Sequence, residues 1–245
     1  MSTLVESSPQ QMARLTGLIY LVTIVAGIFG AGFVQGRLVV EANAEATATN
    51  ILAHESLFRL GFASVLVGTA CYVAVTALLY VLLKPVNRSL SLMAAFFSLT
   101  GCAIWGLGCV FDVGIFVVLR SEQYLAVFKP EQLQAIALIF LKLNGEAFGI
   151  GMVFFGVYCL LIGYLILKSH FLPRILGLLV VCAGLGHLVS MFATFLAPVA
   201  TAFMFPYIML PGLVGELSLA LWLLVFGVSN AKWNEQAATA IATHA

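Results

Sequence analysis

Charge is scarce in this chain. Eleven basic and ten acidic residues are spread over 245 positions, 9% of the sequence, against 62% hydrophobic residues. A soluble globule cannot hide that much apolar surface, because its interior would have to hold far more than its volume allows. The lipid bilayer is the solvent this composition fits, and a mean hydropathy of +1.11 points the same way. The formal charge of +1 leaves no basic footprint for a phosphate backbone, so nucleic acid is excluded as a partner. It also gives no general pull toward an acidic surface.

Other absences narrow the chemistry. The five cysteines, Cys71, Cys102, Cys109, Cys159 and Cys182, all sit inside apolar runs, and none lies in a connection where an oxidant could pair it. They read as small polarizable packing residues and say nothing about redox compartment. His54, His170 and His244 fall in connections or the tail, so two facing histidines for a b-type haem are missing. There is no His-Glu-x-x-His or multi-histidine pattern for zinc, no Gly-Lys-Ser/Thr of a phosphate loop, and no Gly-x-Ser-x-Gly around a nucleophile. Ser190 stands near His187 at i,i+3, a spacing for a hydrogen bond and not for a triad. No catalytic residue, no metal ligand set and no cofactor is therefore expected, and an intramembrane enzyme ranks behind two other classes. No internal repeat supports an inverted-repeat transporter.

What is present is a series of long charge-free stretches, bracketed by charges. They read as six transmembrane helices: Leu15–Gly36, Leu60–Leu83, Ser89 to at least Phe111, Ala147–Leu167, Ile175–Leu196 and a sixth near Tyr207–Val228 that is interrupted only by Glu216. At about 1.5 Å per residue, 22 residues cover about 33 Å, enough for the hydrocarbon core with some tilt. Backbone groups in lipid must pair within their own segment, which requires helices, and no dyad alternation supports a barrel. The predicted fold is an all-α, polytopic integral membrane bundle of six transmembrane helices. The segment 1–14 is a polar cytoplasmic N-terminus, 15–230 a single six-helix transmembrane domain and 231–245 a polar C-terminal tail. Met1–Gln11 carries no basic run, and the apolar stretch after Arg14 is too long for a signal peptide, so it reads as a retained first span.

Orientation follows from the basic residues. An even number of spans puts both termini on one side, with Arg14, Lys84, Arg88, Lys168, Arg174 and Lys232. The opposite side holds Arg37, Arg59, Arg120, Lys129 and Lys142, so the raw counts, 6 against 5, are nearly even. The two tight connections, Lys84–Arg88 and Lys168–Arg174, contain no acid and place both termini in the cytoplasm. Short interfacial helices are expected in the 1–2 connection, around Glu41–Asn50, and in the 3–4 connection. In the latter, Pro130 suits a helical first turn, and a single helix from Pro130 to Lys168 would be about 58 Å, so it either projects outward or breaks near Asn144-Gly145 into span four, the reading favoured here. The connection from Ala197 to Gly215, with Pro198, Pro206, Pro211 and Gly212, reads as a re-entrant stretch or a kinked start to span six.

Ionisable residues inside a membrane are costly, and each is a functional hypothesis by default. Glu216 lies near the middle of span six and His187 near the middle of span five. Asp112, Arg59, Lys142 and Glu146 fall at the outer ends of their helices. Together these six, Arg59, Asp112, Lys142, Glu146, His187 and Glu216, are expected to form a polar cup opening outward. Each has a plainer reading. Glu216 could hold a structural ion pair with Arg59 or Lys142, or be a protonated carboxyl hydrogen-bonded between helices. Arg59 could snorkel. Lys142 and Glu146, at i,i+4, could pair on the surface. Asp112 could be solvated, and His187 could be a hydrogen-bonded packing residue. Gly32-x-x-x-Gly36 and Gly145-x-x-x-Gly149 allow close helix approach, for internal packing or for a homo-oligomer.

Several strings carry a resemblance. They are Asn50-Ile51-Leu52 leading to Leu57-Phe58-Arg59-Leu60-Gly61, Tyr80 through Lys84-Pro85-Val86-Asn87, Phe154-Phe155-Gly156, Gly163-Tyr164-Leu165, Leu172-Pro173-Arg174-Ile175-Leu176-Gly177, and Gly215-Glu216-Leu217 through Leu221-Trp222-Leu223. In this order they resemble the bacterial membrane proteins grouped as domain of unknown function 4386, from about Ala13 to Val228. The resemblance implies a polytopic inner-membrane protein without an assigned chemistry, and Arg59, Arg174 and Glu216 fall on its recurring motifs. Asn43 departs from it, where an aspartate is expected. Two function classes follow. One binds or moves a small solute or proton at Glu216. The other is a non-catalytic membrane sensor or partner subunit whose buried charges hold helices together. Beyond the lipid bilayer, the sequence names no small-molecule or protein partner.

Overall fold

The structure is a computed structural model of the chain and describes residues 8–120, 122–197, 207 and 210–242. Among the described residues every regular element is helical. These are α1 (Pro9–Leu38), α2 (Ala44–Ala53), α3 (Glu55–Leu83), α4 (Arg88–Arg120), α5 (Glu122–Leu125), α6 (Pro130–Lys168), α7 (Arg174–Leu196), α8 (Leu210–Val225) and α9 (Asn230–Ala242). Five of them, α1, α3, α4, α6 and α7, are long and apolar enough to cross a membrane. The number rises to six if α8 and α9, bent by 107° at the break between them, count as one span. Large apolar side chains such as Leu18, Val25, Phe96, Leu107, Ile175 and Leu185 stand exposed along these helices. That is the surface a bilayer covers and water does not.

Charges end the helices where expected at Leu83, Arg88, Lys168 and Arg174. One expectation is corrected. No interfacial helix breaks at Asn144-Gly145, because α6 runs unbroken for 39 residues, about 58 Å. The reason lies in Asn144, whose amide would compete with the backbone if it turned inward on its own helix. It is engaged elsewhere instead, donating to the carbonyl of Gly108 at 2.9 Å. The 1–2 connection does contain a separate helix, α2. Asn43 is its N-cap, with extended backbone and a side-chain oxygen accepting from the Ala46 N–H at 2.9 Å. Asparagine and aspartate cap about equally well, so the departure at Asn43 keeps the structural role an aspartate would have. Pro198 and Pro206 lie outside the described residues, while Pro211 and Gly212 belong to the first turn of α8.

The chain divides into two compact units. Unit 1 comprises residues 1–22, 71–101 and 151–245, and unit 2 comprises 23–70 and 102–150.

Unit 1 is held by glycine contacts between the second part of α6 and α7. A Cβ added at Gly184 would stand 2.7 Å from the Gly156 carbonyl oxygen, and one at Gly163 would stand 2.8 Å from that of Gly177. The two contacts lie about two turns apart on each helix, so the backbones touch along an antiparallel seam. The C-terminal segment is not a free polar tail. Trp233 Nε1 donates to the Leu82 carbonyl at 2.9 Å, Gln236 Nε2 donates to that of Lys168 at 3.4 Å, and Gln236 Oε1 accepts from the His170 N–H at 3.0 Å. Leu82 and Lys168 sit in the last turns of α3 and α6, where carbonyls have no partner within their own helix. α9 therefore caps two transmembrane helices.

Unit 2 has its own apolar core of Val34, Leu38, Ile51, Phe58, Ile115 and Ala137. Within it α1 passes through a π-helical stretch, Ile28–Val34. Ser64 Oγ donates to the Ala26 carbonyl at 2.9 Å and ties α3 to α1.

Candidate functional site

Glu216 is carried by α8, and small residues bring that helix close to α7. A Cβ at Gly215 would stand 2.6 Å from the Leu179 carbonyl oxygen, and one at Gly212 would collide with the His187 ring. Glycine at these two positions lets the Glu216 carboxylate reach into unit 1. There Oε1 meets His187 Nε2 at 3.0 Å, and Oε2 accepts from the Tyr20 hydroxyl at 2.9 Å. The Tyr20 and Tyr72 hydroxyls are 3.3 Å apart, and their rings meet edge to face at 5.5 Å. The Cys159 sulfur completes the group. One ligand atom each of Cys159, His187 and Glu216 lies within 4.8 Å of the others.

The cluster thus draws on α1, α3, α6, α7 and α8. Tyr20, Tyr72, Cys159 and His187 are buried, and Glu216 keeps 19% of its side chain exposed. Among the described residues the only charge partner of Glu216 is His187. A carboxylate held by a phenol and an imidazole is kept in place by hydrogen bonds, unlike one clamped by the permanent charge of a guanidinium.

The remaining predicted site residues lie in unit 2. Arg59 pairs with Glu55 one turn earlier in α3, Nη2 to Oε1 at 2.6 Å. Its guanidinium lies over the Phe116 ring, 4.5 Å from the centroid. The second Glu55 oxygen pairs with Arg120. Arg59 is thus engaged in a local arginine–carboxylate–arginine group, as a cation on an aromatic face. Lys142 and Glu146 are both exposed, and no ion pair joins them among the described residues. Arg174 is exposed at the start of α7.

Asp112 is buried. Its Oδ2 accepts from Asn144 Nδ2 at 3.1 Å, and its Oδ1 has no hydrogen-bond partner among the described residues. It borders a cavity of about 10 Å³ lined by Gly30 and Val34 of the π-helical stretch, with Phe58 and Gly61. A volume of that order holds about one water. Asn144→Leu removes the donor and is expected to destabilise the protein by about 1–3 kcal/mol. A lowered unfolding midpoint for purified protein in detergent checks this, and an unchanged midpoint would refute the role given to Asn144.

Sequence reasoning missed Tyr20, Tyr72 and Cys159. A signal existed for the tyrosines, because a hydroxyl in the middle of a span must find a partner. None existed for Cys159, which is indistinguishable by pattern from the other four cysteines.

Long apolar helices with buried polar groups define a multi-pass helical membrane protein. More specifically, the chain belongs to the family described as Domain of unknown function (DUF4386), which matches residues 15–227. A relative from Archaeoglobus fulgidus, described as an uncharacterized protein, is 26% identical over 155 residues, covering 63% of this chain and 76% of the relative. No solved structure matches the chain.

Proposed function

We propose that this chain is a six-span protein of the bacterial cytoplasmic membrane that binds or moves a small solute or proton at Glu216. Both termini face the cytoplasm, on the strength of the acid-free connections Lys84–Arg88 and Lys168–Arg174. The sixth crossing includes α8, and α2 lies at the interface. One observation supports the role given to Glu216. It is a carboxylate within an apolar bundle whose partners are the Tyr20 hydroxyl and the His187 ring, not a lysine or arginine. A permanent cation would fix such a group as structure, whereas hydrogen-bonding partners leave it able to exchange what it holds.

The test is proton flux in liposomes containing the purified protein, followed with an entrapped pH-sensitive dye after an imposed gradient. Glu216→Gln keeps the size and most hydrogen-bonding capacity of the side chain. Flux reduced at least tenfold in a normally folded variant supports the proposal. Wild-type flux in the variant, or no flux above protein-free liposomes in the wild type, refutes it. A variant that fails to fold favours the other reading, a sensor or partner subunit whose buried pair holds helices together.

A further inference from the structure

We propose that Cys159, His187 and Glu216 form a binding site for a thiophilic divalent transition metal ion, of the zinc class. The inference deepens the reading of Glu216 as a binding site and rests on it. The first ground is convergence. Three ligand types suited to zinc come from three different helices, α6, α7 and α8, with their donor atoms within 4.8 Å of one another. A zinc tetrahedron with Zn–N of about 2.0 Å and Zn–S of about 2.3 Å has edges of about 3.3–3.6 Å. The His187–Glu216 separation of 3.0 Å is already close to such an edge. The cysteine has to move by only about 1 Å, within reach of a small side-chain adjustment.

The second ground is charge. A divalent ion with one thiolate, one carboxylate and one neutral imidazole is electrically neutral. A neutral assembly is what an apolar interior accepts, where either the free ion or the free anions would be costly. Binding releases the thiol proton and displaces the hydrogen bond between His187 and Glu216. The third ground is support around the ligands. The Tyr20 hydroxyl holds the second oxygen of Glu216 at 2.9 Å, the kind of outer contact that orients a carboxylate ligand. Gly212 leaves room for the His187 ring where any side chain would displace it. Hard cations such as Mg2+ favour all-oxygen sites and fit this set poorly.

The experiment is a Co2+ titration of the purified full-length protein, read by absorption. Cobalt bound by a thiolate gives a sulfur-to-metal charge-transfer band in the near ultraviolet, and tetrahedral coordination gives intense visible bands. The expected result is one Co2+ per chain with both signatures, displaced by Zn2+ and not by Mg2+. Cys159→Ser abolishes the charge-transfer band, and His187→Gln weakens binding at least tenfold. Tyr20→Phe weakens it by about 10–100-fold. Cys182→Ser, at an exposed cysteine, changes nothing. A wild-type protein without the charge-transfer band overturns the proposal, as does a band that survives Cys159→Ser or disappears with Cys182→Ser. Cys159→Ser is nearly isosteric, and its elution on gel filtration shows whether it folds.

The outcome is separable from that of the flux measurement. No cobalt band together with loss of flux in Glu216→Gln removes the metal and leaves the Glu216 reading standing. A cobalt site without any flux does the opposite for transport.

Discussion

Gly184→Leu is expected to yield no monodisperse protein in detergent, while Gly32→Leu purifies and unfolds like the wild type. Both glycines lie within transmembrane helices, and a motif search singles out only Gly32, in Gly32-x-x-x-Gly36. Their surroundings differ. At Gly184 a new Cβ would stand 2.7 Å from the Gly156 carbonyl oxygen and 3.0 Å from the Leu160 backbone nitrogen. Backbone atoms cannot swing aside as a side-chain tip can, so the two helices must separate. Overpacking a core costs about 1–3 kcal/mol when side chains can yield, and more when they cannot. At Gly32 nothing lies within 4 Å of the added atom. The measurement is gel filtration followed by thermal unfolding with a thiol-reactive dye, which reports exposure of the buried Cys102, Cys109 and Cys159. Equal behaviour of the two variants would show that the α6–α7 seam is not where unit 1 derives its stability.

The second large effect concerns the buried pair. His187→Leu leaves the Glu216 carboxylate with the Tyr20 hydroxyl as its remaining partner. Breaking a buried pair by removing one member costs about 3–5 kcal/mol, because the surviving charge stays desolvated. Replacing both members by apolar residues removes that cost, so the double variant His187→Leu, Glu216→Leu is expected to be more stable than His187→Leu alone. The same unfolding assay gives the coupling between the two positions. Additive losses would mean that the 3.0 Å contact contributes no coupling energy. Stability recovered in the double variant without recovery of flux would separate what the pair does for folding from what Glu216 does in function.

The membrane character and the helical boundaries were legible because charges in this chain mark helix ends. Lys84, Arg88, Lys168 and Arg174 mark the end of α3, the start of α4, the end of α6 and the start of α7 to within a residue. The length of α6 was less legible. Asn144 and Gly145 carry a strong local break signal, and it is overruled by a tertiary hydrogen bond to Gly108 that no local pattern encodes. The Gly-x-x-x-Gly strings drew attention to Gly32, Gly36 and Gly145, where an added Cβ would meet no other part of the described chain within 4 Å. The contacts that matter, Gly156 with Gly184 and Gly163 with Gly177, follow a wider spacing and become visible only once α6 and α7 are known to be antiparallel neighbours. For the site, the cost of charge in lipid drew attention to Glu216 and His187, and the structure brings them into contact. The same reasoning overlooked Glu55, which stands at i,i+4 from Arg59 and was legible, whereas the Arg59–Phe116 contact and the Arg120–Glu55 pair are tertiary facts.

The carboxylate on α8 bears on how the protein is made. Glu216 follows His187 by 29 residues and Tyr20 by 196, so both of its partners are synthesised first. An acidic residue near the middle of a spanning helix adds about 2.5–3.5 kcal/mol to the cost of partitioning from the translocon into lipid. A histidine and a tyrosine already made can offset that cost by receiving the carboxylate. Loss of His187 or Tyr20 is therefore expected to show first as a defect in biogenesis, read as a lower yield of membrane-integrated protein.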